Sequence, residues 1–214
     1  MTKGSKLVVA AAGFLAWTFT AAPASAAFFS GFEADAGLSA GQWTVINPSF
    51  EGWDVVDGPG IEVQNGFVGG ASAYEGNQKI ELDSHGGQNT NSSITQTVAL
   101  TAGTYEFSFA YLGRTGDEGT NGIGYSLAPG LNVTGITGVK ADGWQVISHL
   151  FSLDVDSDVA INFWAEGSDD TLGGYLDNVR ISAVPLPPAL LLFGSALAAL
   201  GWLRRHKNRA SSKS

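Results

Sequence analysis

The sequence predicts an all-β protein, an antiparallel sandwich, on three observations. The chain of 214 residues has 29 glycines but only 14% charged residues, a composition that favours short strands and turns over exposed helices. Between residues 27 and 183 the apolar residues alternate with the period of two that is typical of strands. These stretches recur roughly every 8 to 15 residues with Gly-rich turns between them, as in two packed sheets.

Alternation assigns most strands and their inward faces. In the clearest strand four aromatic residues occupy alternate positions and so share one face: Tyr105, Phe107, Phe109 and Tyr111. A second strand turns Val159, Ile161 and Phe163 toward the core, and the next residue, Trp164, is therefore predicted to point away from it. Further strands are predicted over residues 28–33, 43–46, 53–56, 61–64, 79–83, 94–100, 123–127, 144–153 and 175–181. The polar, Gly-rich loops 84–92 and 113–122 are predicted to be exposed.

The central body is strongly acidic. All 20 acidic residues lie between Glu33 and Asp177, and the whole body, residues 27–183, has only four basic residues, which leaves it a formal charge of −16. Such a surface repels phosphate backbones, so nucleic acid is not expected as a partner. The chain has no Cys, which excludes disulfides, thiolate zinc sites and cysteine nucleophiles.

Residues 1–26 are predicted to form a secretory signal helix outside the domain. Lys3 and Lys6 precede an apolar stretch, and Ala24-Ser25-Ala26 is a small-residue cleavage site. Such a segment directs export of the chain through the inner membrane, and its removal between Ala26 and Ala27 would leave Ala27 as the first mature residue. The alternative is a buried N-terminal helix.

Residues 184–214 are predicted to form a second segment outside the domain. A rigid motif with Val184, Pro185 and Pro187 precedes an uncharged stretch, 189–203, and a basic tail. As a helix that stretch is roughly 22 Å long, shorter than a hydrocarbon core. It is therefore expected to hold the protein in the inner membrane transiently, although an ordinary single-pass anchor is the alternative.

The C-terminal arrangement resembles the PEP-CTERM sorting signal of Gram-negative bacteria. The resemblance runs from Val184 to the end and departs from the family's commonest motif at Leu186, where Glu is usual. It implies an exosortase-type processing enzyme as a partner. It also implies delivery to the cell surface, the outer envelope or the extracellular matrix.

The body, residues 27–183, resembles the galactose-binding-like jelly rolls of many carbohydrate-binding modules. The segments that carry the resemblance are GFE at 31–33, WDVVDGPGIEVQ at 53–64, NQKIELDS at 77–84, ITQTVALTAGTYEFSFAYLGR at 94–114 and GGYLDNVRIS at 173–182. It implies one antiparallel jelly-roll sandwich, and for many relatives a structural calcium ion and recognition of a glycan.

The resemblance implies residues for both sites. For calcium it points to Glu33 on the predicted first strand and Asp177 in the last strand, with Asp35 as a possible third ligand. Oxygen ligands of this kind suit Ca²⁺. The alternative is that Glu33 is simply solvated and that Asp177 binds backbone amides.

For the glycan, the resemblance implies Arg114 after the aromatic strand and Asn121 on the returning loop. Trp144 and Trp164 could supply flat apolar faces for sugar rings, with Tyr111 beside Arg114. The alternatives are structural: an ion pair for Arg114, and core or covering positions for the aromatic side chains.

The sequence therefore predicts a non-catalytic, exported module that binds extracellular polysaccharide or acts in the exopolysaccharide matrix. A phosphate-binding loop, a zinc-protease H-E-x-x-H motif and a nucleophile elbow are all absent from the sequence. A purely structural or adhesive envelope protein remains an alternative, as does a glycoside hydrolase with an unrecognised carboxylate pair.

Overall fold

The computed structural model describes residues 26–86 and 89–185, with the side chains of 132–134 excepted. The predicted signal peptide before Ala26 and the predicted hydrophobic helix and basic tail lie outside these residues. Within the described ranges, no helix has both the length and the apolar character needed to cross a membrane.

The described residues form strands and one short 3-10 helix, Lys140–Asp142. The strands are β1 (Ala26–Ser30), β2 (Trp43–Ile46), β3 (Ser49–Phe50), β4 (Trp53–Asp57), β5 (Ile61–Asn65), β6 (Gln78–Glu81), β7 (Ser93–Leu100), β8 (Gly103–Leu112), β9 (Ile123–Ala128), β10 (Leu131–Ile136), β11 (Gln145–Leu153), β12 (Ser157–Ala165) and β13 (Tyr175–Ala183).

These strands make two antiparallel sheets. The seven-stranded sheet has the order β11-β8-β13-β6-β5-β2, and β1 pairs with β13. The six-stranded sheet has the order β10-β9-β12-β7-β4-β3. The all-β antiparallel sandwich predicted from the alternation is therefore confirmed.

The core lies between the sheets and is rich in aromatic side chains. Phe109 of β8 meets Phe163 of β12 edge to face, with ring centroids 5.1 Å apart, and Tyr125 of β9 at 4.8 Å. The four alternating aromatics of β8 are all buried, so the predicted inward face is correct. Trp164 points out of the core and is partly exposed, as predicted.

The structure corrects the predicted strands at three places. Strands β3 and β10 were not predicted, because the first has only two residues and the second contains a glycine in place of an apolar side chain. The strand expected over 28–33 ends at Ser30, and Phe32 takes a positive φ of 56° that breaks the extended run.

The two predicted exposed loops are buried in part, which corrects the prediction. Ser84, Thr90 and Ser92 in the first and Thr120 and Asn121 in the second are inaccessible or nearly so. Burial is possible because their polar groups are bonded within the protein. The hydroxyl of Ser84, for example, donates to the carbonyl of Gly60 at 2.7 Å.

Candidate functional site

The outer face of the six-stranded sheet carries a row of polar side chains that crosses five strands. Strand pairing places five residues side by side, a set we call the polar row: Ser49, Asp54, Thr95, Asn162 and Ser126. Neighbouring strands are about 4.8 Å apart, so the row is about 19 Å long.

Asn162 links the centre of the polar row. Its Oδ1 accepts a hydrogen bond from the Thr95 hydroxyl at 2.9 Å, and its Nδ2 donates to Ser126 Oγ at 3.2 Å. The amide is thereby fixed in orientation between two hydroxyl groups. Hydroxyl groups both donate and accept hydrogen bonds, so this row suits a ligand that is itself rich in hydroxyl groups.

Trp164 lies in the next row of the same face. Pairing places it between Ser93 of β7 and Gly124 of β9, and its indole crosses directly over Gly124, where a Cβ atom would overlap the ring. Its Nε1 donates to Glu166 Oε1 at 3.0 Å. The absence of a side chain at Gly124 makes room for the ring, and the hydrogen bond to Glu166 holds the ring across the sheet.

A groove of about 520 Å³ runs beside the indole. Its lining includes Trp164 and Asn162 from β12, Val56 and Asp57 from β4, and Asn91 from the loop before β7. The groove therefore offers an aromatic ring and an exposed apolar side chain beside amide and carboxylate groups. Binding sites for small polar ligands combine apolar surface with a few placed polar groups in this way.

Arg114, a predicted sugar contact, forms an internal ion pair. Its Nη1 bonds to Glu81 Oε2 and donates to the carbonyl of Thr171 at 2.9 Å, and only 14% of its side chain is exposed. Burial raises the pKa of Glu81 well above its usual value, although Arg114 opposes that shift. The structure thus uses the guanidinium to compensate a buried carboxylate.

Asn121 and Tyr111 lie next to Arg114 and organise the loop after β8. Asn121 is fully buried, its Oδ1 accepts from the amides of Arg114 and Thr115, and its Nδ2 donates to Gly138 O at 2.8 Å. The Tyr111 hydroxyl donates to the Asn121 carbonyl at 2.7 Å, and burial raises its pKa to about 12. Sugar contacts by these three residues stay predictions.

Trp144 lies on the side of the seven-stranded sheet, apart from Trp164. Its Nε1 donates to the carbonyl of Ser72 at 3.1 Å, and its ring meets Tyr74 edge to face at 5.9 Å. It also packs against the small cluster of Ala71, Leu112 and Tyr175. The structure therefore brings Arg114, Asn121 and Tyr111 together but does not gather both predicted tryptophans at one site.

The segment 66–77, which we call the flap, covers the outer face of the seven-stranded sheet. Polar side chains of β5, β6 and β13 on this face are at most 1% exposed: Glu62, Gln64, Lys79, Glu81, Tyr175 and Asp177. The flap contacts Lys79, Tyr175 and Asp177, whereas His85 bonds to Glu62 and Arg114 bonds to Glu81. Lys79 Nζ donates to the carbonyls of Val68 and Ala71 in the flap. Burial lowers the pKa of Lys79 to about 8.

The predicted calcium ligands Glu33 and Asp177 bind neighbouring parts of the flap and of the strand after it. Glu33 Oε1 accepts from the amides of Asn77 and Gln78, both at 2.7 Å, and Asp177 Oδ2 accepts from those of Tyr74 and Glu75. Burial, with a smaller contribution from the charge of Glu33, raises the pKa of Asp177 to about 6.

The third predicted ligand, Asp35, makes a local turn. Its Oδ1 accepts from the amide of Gly37 at 2.8 Å, although it lines the same shallow groove of about 430 Å³ as Glu33. In the described part of the chain, no three His, Asp or Glu side chains converge as a metal-binding group. Two carboxylates near one segment therefore fit a calcium ion only if backbone carbonyls or water complete its shell.

The predicted processing positions fall at the two ends of the body. Ala26 and Ala27 begin β1, where Ala26 lies opposite Ser182 of β13. The amide of Val184 donates to the carbonyl of Thr104 at 2.9 Å, and Pro185 is the last described residue. Pro187 lies outside the described residues.

Sequence reasoning identified Trp164 but missed the residues around it. Asn162 is two positions away on the same strand, so alternation alone places it on the same face. Thr95, Ser126 and Gly124 belong to other strands, and only the pairing register brings them beside β12. No signal in the sequence fixes that register.

The chain resembles known proteins in its fold but not in its sequence. No protein-family profile and no curated protein sequence matches it. Among solved structures, TmCBM61 in complex with β-1,4-galactotriose has a TM-score of 0.47 and 20% identity, covering 64% of this chain and 92% of its own.

Two further solved structures are similar over comparable lengths. The CBM22-1 xylan-binding domain of Paenibacillus barcinonensis Xyn10C has a TM-score of 0.38 and 14% identity, covering 77% of this chain and 97% of its own. The CBM6cm-2 carbohydrate-binding module of Cellvibrio mixtus lichenase 5A, in complex with cellotriose, also has a TM-score of 0.38 and 14% identity, covering 68% and 99%. The chain is thus similar, at low identity, to carbohydrate-binding modules.

Proposed function

We propose that this chain is a non-catalytic module that binds extracellular polysaccharide on the outer face of its six-stranded sheet. The observation that carries the proposal is Trp164, whose ring lies across Gly124 beside the polar row. An indole offers a flat apolar surface to the C–H face of a sugar ring. Hydroxyl and amide groups next to it can then bond to the sugar hydroxyls.

The ring is fixed before any ligand arrives, which supports a binding role. Glu166 holds the indole N–H, and Asn162 is held between Thr95 and Ser126. Groups that are already oriented lose little conformational entropy when a ligand binds. A side chain that merely covered the sheet would not need this alignment.

Replacing the indole tests the proposal. We expect Trp164→Ala to weaken binding to polysaccharide at least tenfold, about 1.4 kcal/mol, measured with a soluble glycan array followed by titration calorimetry. The matched control is Trp43→Ala, which removes a tryptophan that is 43% exposed on the other sheet and packs against His85. Equal binding by the two variants would contradict the proposal and favour a structural or adhesive envelope role.

We also propose that a calcium ion binds near Glu33 and Asp177. The support is that both carboxylates act on one short stretch, residues 74–78. Such an ion would hold the flap to the ends of the chain and offset the cost of an ionised, buried Asp177. A chelator should then lower the melting temperature of the protein, and Asp177→Ala should abolish that response. An unchanged melting temperature in the intact protein rules the ion out.

Finally, we propose that the terminal segments sort the protein, with export through the inner membrane and processing by an exosortase-type enzyme near Val184. The support is the order of the sequence features alone: the rigid Pro-containing motif, the apolar stretch and the basic tail. Deleting residues 184–214 should release the protein into the medium, which immunoblots of cell and medium fractions would detect. Continued retention in the envelope would show that this segment is not the retention device.

A further inference from the structure

The basic side chains of the described body all lie on the side of the seven-stranded sheet. Arg114 pairs with Glu81 of β6, and Arg180 of β13 lies 3.6 Å from Glu75 in the flap. Lys79 and Lys140 donate to carbonyl groups of the flap, the latter at 3.3 Å from Gly69 O. Each Lys and Arg of residues 26–86 and 89–185 is therefore committed to that sheet or its flap.

On the six-stranded sheet, carboxylates lie around the groove and around the indole instead. Glu166 contacts the indole of Trp164 directly, and Asp57 lines the same groove. Asp54 is exposed in the polar row. Asp57 lies two strands away from Trp164, and Asp54 lies two strands away from Asn162. Each of these two separations is about 10 Å.

These charges act on any anionic group that enters the groove. In water, a carboxylate about 10 Å from a bound anion weakens its binding about twofold. Three such carboxylates together give roughly a fivefold to tenfold loss per anionic unit, and the body's formal charge of −16 adds to it. The polar row can satisfy neutral hydroxyl groups without any cation.

We infer that this surface selects neutral polysaccharides and rejects polyuronates and other anionic ones. The inference rests on the proposed function and names the substrate class of the same site. It assigns one role to Asp57 in the groove and to Glu166 beside Trp164: they exclude carboxylated chains by repulsion.

The test compares polymers that share a backbone and differ only in charge. Soluble cellulose, galactan and mannan derivatives would each be paired with a form in which the primary alcohol at C6 is oxidised to a carboxylate. Biolayer interferometry with the immobilised protein would be run at 20 mM and at 500 mM NaCl, without added divalent cations. The Debye length falls from roughly 20 Å to roughly 4 Å between these salt concentrations.

We expect the neutral member of a pair to bind at least fivefold more tightly at low salt, with the difference shrinking at high salt. Asp57→Asn should narrow the difference. Glu75→Gln should leave it as it is, because this exposed carboxylate belongs to the flap.

The other outcomes separate the two proposals. If both members of a pair bind equally at low salt and both lose binding in Trp164→Ala, the proposed function stands and the selectivity is overturned. Tighter binding of the oxidised member overturns the selectivity in the same way. If no polymer of either charge binds, the proposed function and this inference are overturned together.

Discussion

Both sheets have polar side chains on their outer faces, but those of the six-stranded sheet are at least partly exposed and those at the centre of the seven-stranded sheet are buried. On the six-stranded sheet, Asn162 and Trp164 remain open to a groove of about 520 Å³. On the seven-stranded sheet, Lys79 is completely buried under the flap and Glu81 is completely buried beneath Arg114. Whether the polar outer face of a sheet is exposed or buried therefore depends on whether a loop distant in the sequence covers it.

The two faces also use charge differently. The covered face pairs opposite charges, as Arg114 does with Glu81, because an unpaired charge in the interior is costly. The open face has carboxylates such as Asp54 and Asp57 that water can solvate. Substitutions on the covered face should therefore affect stability, whereas those on the open face should affect binding.

The largest expected effect is the loss of the buried ion pair. Arg114→Ala leaves the Glu81 carboxylate buried without its cation, and should lower the free energy of unfolding by about 3–5 kcal/mol. Urea denaturation followed by tryptophan fluorescence would measure it. Asp54→Asn on the open face is the control and should change stability by less than about 0.5 kcal/mol. Similar losses in the two variants would remove the distinction between the faces.

A pH effect of somewhat smaller size is expected from Asp177. Its pKa in the folded protein is raised to about 6 from 3.8, chiefly by burial. A raised pKa means that the folded state favours the protonated carboxyl, so the associated stability is full below about pH 4 and is lost as the pH rises through 6. The loss by pH 7 is about 3 kcal/mol.

Asp177→Asn removes this titration and so supplies the comparison. The free energy of unfolding of the wild type minus that of the variant should fall between pH 4 and pH 7.5. Thermal and urea unfolding at the two pH values, in the presence of a chelator that keeps the proposed calcium site empty, would measure the difference. A difference that stays constant with pH would show that Asp177 does not titrate in this range.

The fit of the flap is expected to contribute next. Gly69 has a φ of +61°, and a Cβ there would overlap the hydroxyl of Tyr175. Gly69→Ala should therefore destabilise the protein by about 2 kcal/mol, from backbone strain and from the displaced flap. Gly37→Ala is the control, since that glycine has a φ of +70° in open space and adds only the strain. Equal losses in the two variants would mean that the flap is not closely packed on Tyr175.

The smallest effect is expected in the polar row. Asn162→Ala removes hydrogen bonds to Thr95 and Ser126 from a partly exposed position and should cost at most about 1 kcal/mol. Its effect on the free energy of glycan binding should be larger than its effect on the free energy of unfolding. Glycan titration and urea denaturation of the same preparation would show this. A large loss of stability with unchanged binding would assign Asn162 to the scaffold.

The sequence predicted well which way side chains point from their strands, but it predicted poorly which outward-pointing side chains are buried by other segments. Alternation placed Phe109 inward and Trp164 outward, and both are correct. It also placed Lys79 and Glu81 opposite the core side chain Ile80, which the structure confirms. The burial of Lys79 depends on its contacts with the flap, and that of Glu81 depends on Arg114. The alternation of residues within one strand gives no information on such distant contacts.

The same limit applies to the candidate site. One strand supplied Trp164 and Asn162, but the row becomes a surface only when Thr95 and Ser126 come into register with β12. Pairing between distant strands is set by the whole sheet rather than by any segment. Gly124 is an example. In the sequence this glycine indicates a turn or a weak strand position, whereas in the structure it makes room for the indole of Trp164.

The pairing of β1 with β13 has a mechanical consequence. Ala26 lies opposite Ser182, so the first and last strands are antiparallel neighbours that begin and end at the same edge. Tension applied between those two ends would open the pair one hydrogen bond at a time. Tension applied through β13 alone would instead load its hydrogen bonds to β1, β8 and β6 together in shear. Strands loaded in shear resist force best, which suits a protein whose C-terminal end is fixed while a polymer holds the sandwich.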